Sequence, residues 1–572
     1  MLGAQKLLLR NPVNARTMIA DRDVAASLSA CRTFASVDEQ CNRMASARGT
    51  QQSDCAQSLR HAIDAGLFVS LPESRDIICR LASSTVPRSI EAIAIPTRNR
   101  PKLLERILSQ LHQNLSLFER NPQIIVLDDS DNSAAQQANT EVIAGQSRLS
   151  GRRVLQIDKK TKQRLIAQLA IDTGISSGCL EFALGGGSDY PVSPGSARNT
   201  LLLSTVGRRV LFLDDDIQCS LALVPGYSER VTLGGSGTES WFFEGEKEIE
   251  QSCLVVEDIV GLHEKVMNFG ALDMVENLAT ISMVDSHAMF RRIGSGEARV
   301  MATQMGIYGD CGVDSPLTSY LSGPQTWSRL VNSEGLYRAA IKNRLILRAP
   351  ANFVLTNVSH TQAHCLAVDN TDCIPPFLPM LRGEDGVFGL LLARCVPNSL
   401  FGLIPRAILH SPDRVREFTP QAAISSAGRF TVSETIMALI CTLGPSPGGT
   451  STQRLASLGR SLQELRCARD EELQDLLQSA FEPLLIRVVQ LMQARLDKCD
   501  AVAFWKNDLE QIRDSALAGL NSRNQLKPVD LEDEPGGVGP NVRLRGIVSA
   551  FADLLQAWPA LIQSAGRLGL TT

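Results

Sequence analysis

The chain has 572 residues, 44% of them hydrophobic and 21% charged, an ordinary globular balance with room for roughly two to four domains. A net charge of -4 offers no basis for a nucleic-acid partner. The 14 cysteines include no C-x-x-C pair and no metal-ligand spacing, which argues against a secreted disulfide framework and for reduced thiols in a cytoplasmic protein. No run of about 18 apolar residues occurs, so no transmembrane helix is expected. The most apolar later stretch, 388–409, is broken by Arg394, Pro397, Asn398, Pro405 and Arg406. The N-terminus is too short in apolar residues for a secretory signal; its lack of acids before Asp21 leaves an organelle-targeting reading open.

Residues 1–85 are polar and rich in Ala, Ser and Arg, with helical patches such as 56–68, and read as an N-terminal helical extension. From Glu91 an apolar run to Ile95 predicts a strand, followed by Pro96, Thr97, Arg98, Asn99 and Arg100. Leu103, Leu104, Ile107, Leu108 and Leu111 then recur at helical spacing, with Asn99 as the expected cap and Pro101 in the first turn. Ile124 to Leu127 is a second continuous apolar run; it ends in Asp128, Asp129, Ser130, Asp131 and Asn132, with a helix expected over 134–143. A third strand is expected over 154–157 and a helix over 160–170, followed by a glycine loop, 185–190. Gly195, Ser196, Ala197, Arg198 and Asn199 open another helix.

Val210 to Leu213 is an unbroken apolar strand running into Asp214, Asp215 and Asp216. Four apolar residues in a row suit a strand covered on both faces. Three acids at its end are costly unless something positive sits there, and hard divalent cations prefer such oxygen ligands. Strand alternation places Asp214 and Asp216 on one side and Asp215 on the other. From 217 to 380 the sequence lacks clear periodicity and reads as a large insertion or lid carrying acceptor-binding surface. Gly383, Glu384 and Asp385 open a helix, Ile408-Leu409-His410 reads as a strand end, and the chain beyond 415 as all-helical.

Strands alternating with helices predict a parallel α/β sheet, and such sheets bind ligands at the carboxyl ends of their strands. The clusters 96–100, 128–132 and 214–216 all fall there. Expected domains are 1–85, 86–415 and 416–572.

In order along the chain, Ile95-Pro-Thr-Arg-Asn-Arg, Val126-Leu-Asp-Asp-Ser, Gly195-Ser-Ala-Arg-Asn, Leu213-Asp-Asp-Asp and Gly383-Glu-Asp resemble the motifs of the family 2-like, GT-A fold glycosyltransferases. The resemblance covers 91–413. It implies a GT-A-like, mostly parallel nucleotide-binding sheet and inverting transfer of a sugar from a UDP- or GDP-sugar donor, dependent on Mn2+ or Mg2+. It implies nucleoside and donor contacts from Pro96, Thr97, Arg98, Asn99, Asp128 or Asp129, Arg198, Asn199, Asp214 and Asp215. Asp214, Asp216 and His410 become metal ligands, with the register of the triple acid open by one. Asp385 becomes the catalytic base, with Glu384 as its alternative. The loop from Gly185 to Pro194 is expected to order over the donor. Each assignment has a plainer counterpart: Asp128 as an Asx turn, Arg198 as a structural ion pair, the Glu-Asp pair as a helix N-terminus, His410 as a satisfied structural residue. His360 and His364 stand four apart in a segment that does not read as helical.

Competing readings are a nucleotidyltransferase, against which the glycine-free 96–101 loop counts, and a non-catalytic scaffold, against which the charge cost of an unused acid cluster counts. The apolar face of the C-terminal helices allows homo-oligomerisation, partner binding or peripheral membrane contact, and equally packing on the catalytic domain.

Overall fold

The computed structural model describes residues 5–569 apart from 12–13, 32–34, 71, 75, 77–86, 186–192, 236, 251–253, 269–281, 284–291, 293–297, 360, 446–447, 500–502, 523–525 and 532–537. His360 and most of the 185–194 loop lie outside the described residues. A hairpin of β1 (Lys6–Arg10) and β2 (Thr17–Asp21) stands apart from the main sheet, with helices Val37–Arg48 and Gln52–Asp64 beside it. The main sheet contains β3 (Ala92–Thr97), β4 (Gln123–Asp128), β5 (Val154–Ile157) and β6 (Arg209–Leu213), joined by helices Pro101–Leu117, Ser133–Ser150, Lys159–Thr173 and Pro194–Leu203. These four strands are parallel, in the order β6-β3-β4-β5.

This order reverses direction. The chain steps outward from β3 to β4 to β5, then returns to place β6 on the far side of β3. The crevice between the carboxyl ends of β3 and β6 is therefore the topological switch point, where open α/β sheets bind their ligands.

The apolar runs alternate faces with period two. Ala92, Ala94, Ile125, Leu127, Val210 and Phe212 join one core; Ile93, Ile95, Ile124, Val126, Leu211 and Leu213 join the other. The Pro101–Leu117 helix covers the second face with Leu104, Ile107, Leu108, Leu111 and Leu115, each fully buried and each contributing about 2 kcal/mol of burial free energy.

Much of what is described of the stretch from 217 to 380 belongs to the sheet itself. It supplies β7 (Ile217–Ala222), β8 (Val231–Leu233), β9 (Thr238–Phe242), β10 (Ser282–Met283), β11 (Arg299–Asp310), β12 (Leu345–Pro350), β13 (Phe353–Thr356) and β14 (Cys365–Asp369). With β15 (Ser399–His410) they complete a sheet of 13 strands among the described residues. β14 runs antiparallel to β6, while β11 and β15 pair in parallel from Arg299–Ser399 to Gly309–His410. His410 thereby arrives beside β7, opposite Ile217.

Every described element after His410 is helical. These helices share the first core with the sheet: Leu477, Phe481, Leu554, Leu555, Trp558 and Leu561 join Val210 and Phe212 in one cluster. The apolar face of the Pro540–Leu568 helix is thus largely spent on intramolecular packing. Trp558 is fully buried and its indole Nε1–H donates to the Ile374 carbonyl at 2.8 Å. Among the described residues no helix is long and apolar enough to cross a membrane.

Trp558→Phe should strand that buried carbonyl at a cost of about 1–3 kcal/mol. A thermal melt should fall by a few degrees; an unchanged melt would mean the carbonyl has another partner.

Candidate active site

The three polar clusters meet at the switch point. Thr97 and Asp128 are register partners at the ends of β3 and β4, and the Thr97 hydroxyl donates to Asp215 Oδ2 at 2.7 Å. Asn99 takes a left-handed conformation, φ +56°, which asparagine tolerates better than most side chains. Its backbone N–H donates to Ser130 Oγ at 2.7 Å and its amide to Asp131 at 2.5 Å, so it ties the two loops together instead of capping the next helix. Arg100 holds the N-cap position, with Pro101 following in the first turn as expected. Arg98 pairs with Asp131 at 3.1 Å.

Strand alternation stops at Leu213. Asp214 lies beyond the strand and Asp215 and Asp216 form a turn, so Asp215 does not face away from its neighbours. Arg100 Nη1 lies 3.0 Å from Asp215 Oδ1 and 3.2 Å from Asp216 Oδ2. Asp216 Oδ1 meets His410 Nε2 at 3.2 Å. Asp214 is drawn elsewhere, to Arg198 Nη2 at 2.6 Å. The same guanidinium reaches Glu384 through Nη1, also at 2.6 Å. Arg198 therefore links the end of β6 to the N-terminus of the Glu384–Cys395 helix, as the ion-pair reading anticipated.

The electrostatics follow from burial. Asp215 is pushed up to about 7 by desolvation and by Asp216, against Arg100 and the Thr97 hydroxyl. Asp214 is likewise raised, burial outweighing Arg198. For Asp216 burial acts upward, but the hydrogen bond and charge of His410 win and hold it well below the usual carboxylate range. Burial opposes the charged form of His410, yet Asp216 raises it above the ordinary imidazole value. Glu384 is pushed up to about 7 by burial, with Arg198 opposing and Asp385 adding.

His410 is held from behind. Its Nδ1 lies 2.6 Å from the Asp310 carbonyl, which accepts the Nδ1–H and turns Nε2 toward Asp216. The close approach requires Gly309: its φ is +95°, and a Cβ there would stand 2.5 Å from the His410 carbonyl oxygen. The Asp310 carboxylate is clamped by Arg344 at 3.1 Å and Arg416 at 3.0 Å. His364 is set apart from this pair. Its Nε2 lies 3.2 Å from the Gly306 carbonyl, and burial first, then the charge of His410, lower it to about 3.

Asp385 is half-buried. Its Oδ1 accepts from Gly386 N–H at 2.8 Å and its Oδ2 from Ala363 N–H at 3.2 Å, while the Thr361 hydroxyl donates to its carbonyl. The carboxylate is oriented by backbone donors and lies within the field of Arg198 and Asp214.

Three expected donor contacts are committed to the fold. Asp128 is buried, and its Oδ1 accepts from Ser130 N–H and the Asn139 amide, both at 3.0 Å: an Asx turn. Both oxygens of Asp129 lie on the buried Lys162 ammonium, at 2.7 and 2.8 Å. Asn199 is fully buried, giving its amide to the Ala183 and Phe377 carbonyls and accepting from Phe377 N–H. Pro96 is partly buried in β3. Arg100 and Asp310 were missed as site residues; the only signal for Arg100 was its place in the 96–101 loop, and Asp310 had none.

Among the described residues no group of three or more His, Cys, Asp or Glu is arranged to hold a metal, so the expected set of Asp214, Asp216 and His410 is not assembled. Asp216 and His410 nevertheless suit a divalent ion. Two ligands at right angles on bonds of about 2.1 Å stand about 3 Å apart, and such ions commonly take one or two side chains and complete their shell with substrate phosphates.

No family model matches this chain, and no curated protein matches it. Among solved structures the chain is similar to the mannosyltransferase PcManGT from Pyrobaculum calidifontis in complex with GDP-Man and Mn2+, over 87% of this chain and 96% of that one, at 11% identity and a TM-score of 0.26. The functional reading rests on the site itself.

The folded protein keeps a proton on Asp215 up to about 7, whereas the unfolded chain releases it near 3.8, so Asp215 lowers stability as pH rises through that window. Asp215→Asn should therefore stabilise more at pH 8 than at pH 5, by about 2 kcal/mol. Melting curves of both proteins at the two pH values check this; a difference independent of pH would contradict the assignment.

Proposed function

We propose that this protein is a glycosyltransferase that moves a sugar from a nucleotide-sugar donor to an acceptor hydroxyl with inversion. The observation that carries the reading is the meeting of the β3 loop and the β6 acids at the switch point, where Thr97 and Arg100 contact Asp215 and Asp216. An acidic crevice lined by arginines suits a diphosphate that leaves with negative charge.

Asp216 and His410 would hold a divalent ion, which when bound supplies positive charge against the diphosphate. The remaining steps belong to side chains. Thr97, Arg98 and Asn99 line the donor side. Arg198 holds Asp214 and Glu384 in place, so that Glu384 serves the scaffold and Asp385 is left as the base. Its backbone-oriented carboxylate takes the acceptor hydroxyl proton as the acceptor oxygen bonds to the sugar carbon. The bond from that carbon to the diphosphate oxygen breaks, and the nucleoside diphosphate leaves with the electron pair.

Asp385→Asn should keep donor affinity within about twofold and reduce transfer by about 10²–10⁴-fold. Titration with nucleotide sugar beside a transfer assay measures both; equal loss of binding and transfer would contradict the base role.

One observation favours a non-catalytic scaffold. Every acid of the cluster has a protein partner, which offsets part of the charge cost that counted against an idle site. Thermal shift with UDP- and GDP-sugars, with and without Mn2+, separates the readings. The transferase should be stabilised by several degrees with donor and metal together; no shift with any donor would leave the scaffold.

A further inference from the structure

The acids of the switch point are buried and one of their counter-ions is partly exposed. The side chains of Asp215 and Asp216 are only 6% and 10% exposed, whereas that of Arg100, bonded to both, is 40% exposed. It projects from a loop residue at the start of a helix and has open solvent on one side. The other basic groups nearby are fixed. His410 is pinned by the Asp310 carbonyl, Arg198 by two carboxylates, and Arg106 donates to the backbone carbonyls of Asp216 and Ser411. At the rim, Asp413 adds to the field on Arg100 and offers a third anionic neighbour. Asp216 also divides its oxygens: Oδ1 faces His410 and Oδ2 faces Arg100.

A guanidinium on Oδ2 neutralises the same carboxylate whose Oδ1, with His410 Nε2, would receive a divalent ion, so the two cations compete for the charge of Asp216. We infer that Arg100 is a movable counter-ion: in the donor-free protein it bonds to Asp215 and neutralises Asp216, and when a nucleoside diphosphate binds it swings onto the diphosphate and gives up Asp216 to a divalent ion. The inference rests on the proposed donor chemistry and deepens it. A guanidinium prefers the bidentate geometry of a phosphate as readily as that of a carboxylate, so the exchange replaces one charge-assisted pair with another.

The consequence is a coupling between two ligands. In the wild type, Mn2+ competes with Arg100 and binds weakly alone; a nucleoside diphosphate draws Arg100 away, and each ligand tightens the other by the same factor, on the order of tenfold.

The test measures Mn2+ binding by calorimetry and by the EPR signal of free Mn2+, with and without UDP or GDP. Arg100→Gln should bind Mn2+ in the absence of nucleotide at least about fivefold more tightly than wild type, bind the diphosphate more weakly, and lose most of the coupling. Arg100→Lys, which keeps the charge but not the fork, should fall between them and serves if the glutamine variant does not fold. If wild type binds Mn2+ and the diphosphate but Arg100→Gln shows unchanged or weaker Mn2+ affinity without nucleotide, the role of Arg100 is overturned while the donor reading stands. If wild type binds neither Mn2+ nor any nucleoside diphosphate, the donor reading falls and this inference with it.

Discussion

Three carboxylates in sequence at the end of a buried strand cannot be held together by anything local. Within the segment 210–216 there is no positive group, and desolvation raises the cost of every charge. The compensation comes from far along the chain: Arg100 from the loop after β3, Arg198 from the helix before β6, His410 from the end of β15. Much of the architecture can be read as the means of delivering those three groups to one point. The same bonds tie β3, β6, β15 and the two helices to each other, so stability and site geometry are coupled. Each of the three acids is consequently distinct: Asp216 is held ionised by His410, Asp215 is raised, and Asp214 serves the Arg198 bridge.

The long pair of β11 and β15 gives this arrangement its rigidity. It carries Asp310 and His410 to the same end of the sheet, where Gly309 permits the contact between the Asp310 carbonyl and the imidazole. Arg344 and Arg416 fix the Asp310 carboxylate behind it. A ring oriented through one nitrogen presents the other at a constant angle, which is the usual requirement for a histidine that pairs with a carboxylate or an ion. A superficially similar pair in the core has no such role. His263 lies 3.4 Å from Cys365 and 2.8 Å from Thr303, but both are sealed from solvent, and burial lifts the thiol well above its ordinary value. It is a polar knot between β11, β14 and the helix Ile259–Met267.

The helical C-terminal region closes the opposite face. Val210 and Phe212 belong to the same apolar cluster as Phe481 and Trp558, so the strand that carries the acids shares its core with residues more than 250 positions later in the chain. The helices thus have a structural task irrespective of any partner.

What could be read from the sequence was whatever depended on neighbours. Ile93–Ile95, Ile124–Leu127 and Val210–Leu213 declared themselves as buried strands because both faces demand apolar residues, and the helix after Pro101 followed from its spacing. Polar clusters after parallel strands had to share an edge, so the place of the site was legible as well. Its wiring was not. Asp128 is claimed by Asn139, Asp129 by Lys162 and Asn199 by Phe377, and no periodicity announces such pairings. The alternation rule failed at Asp215 because it holds only while the chain stays extended, and the chain turns after Leu213. The strands of 217–380 were hidden because many are buried on both faces, without regular polar alternation or clean turn signals between them. Burial periodicity is a property of a segment and is written into it. Charge compensation is a property of distant segments brought within 3 Å, and only the folded chain decides it.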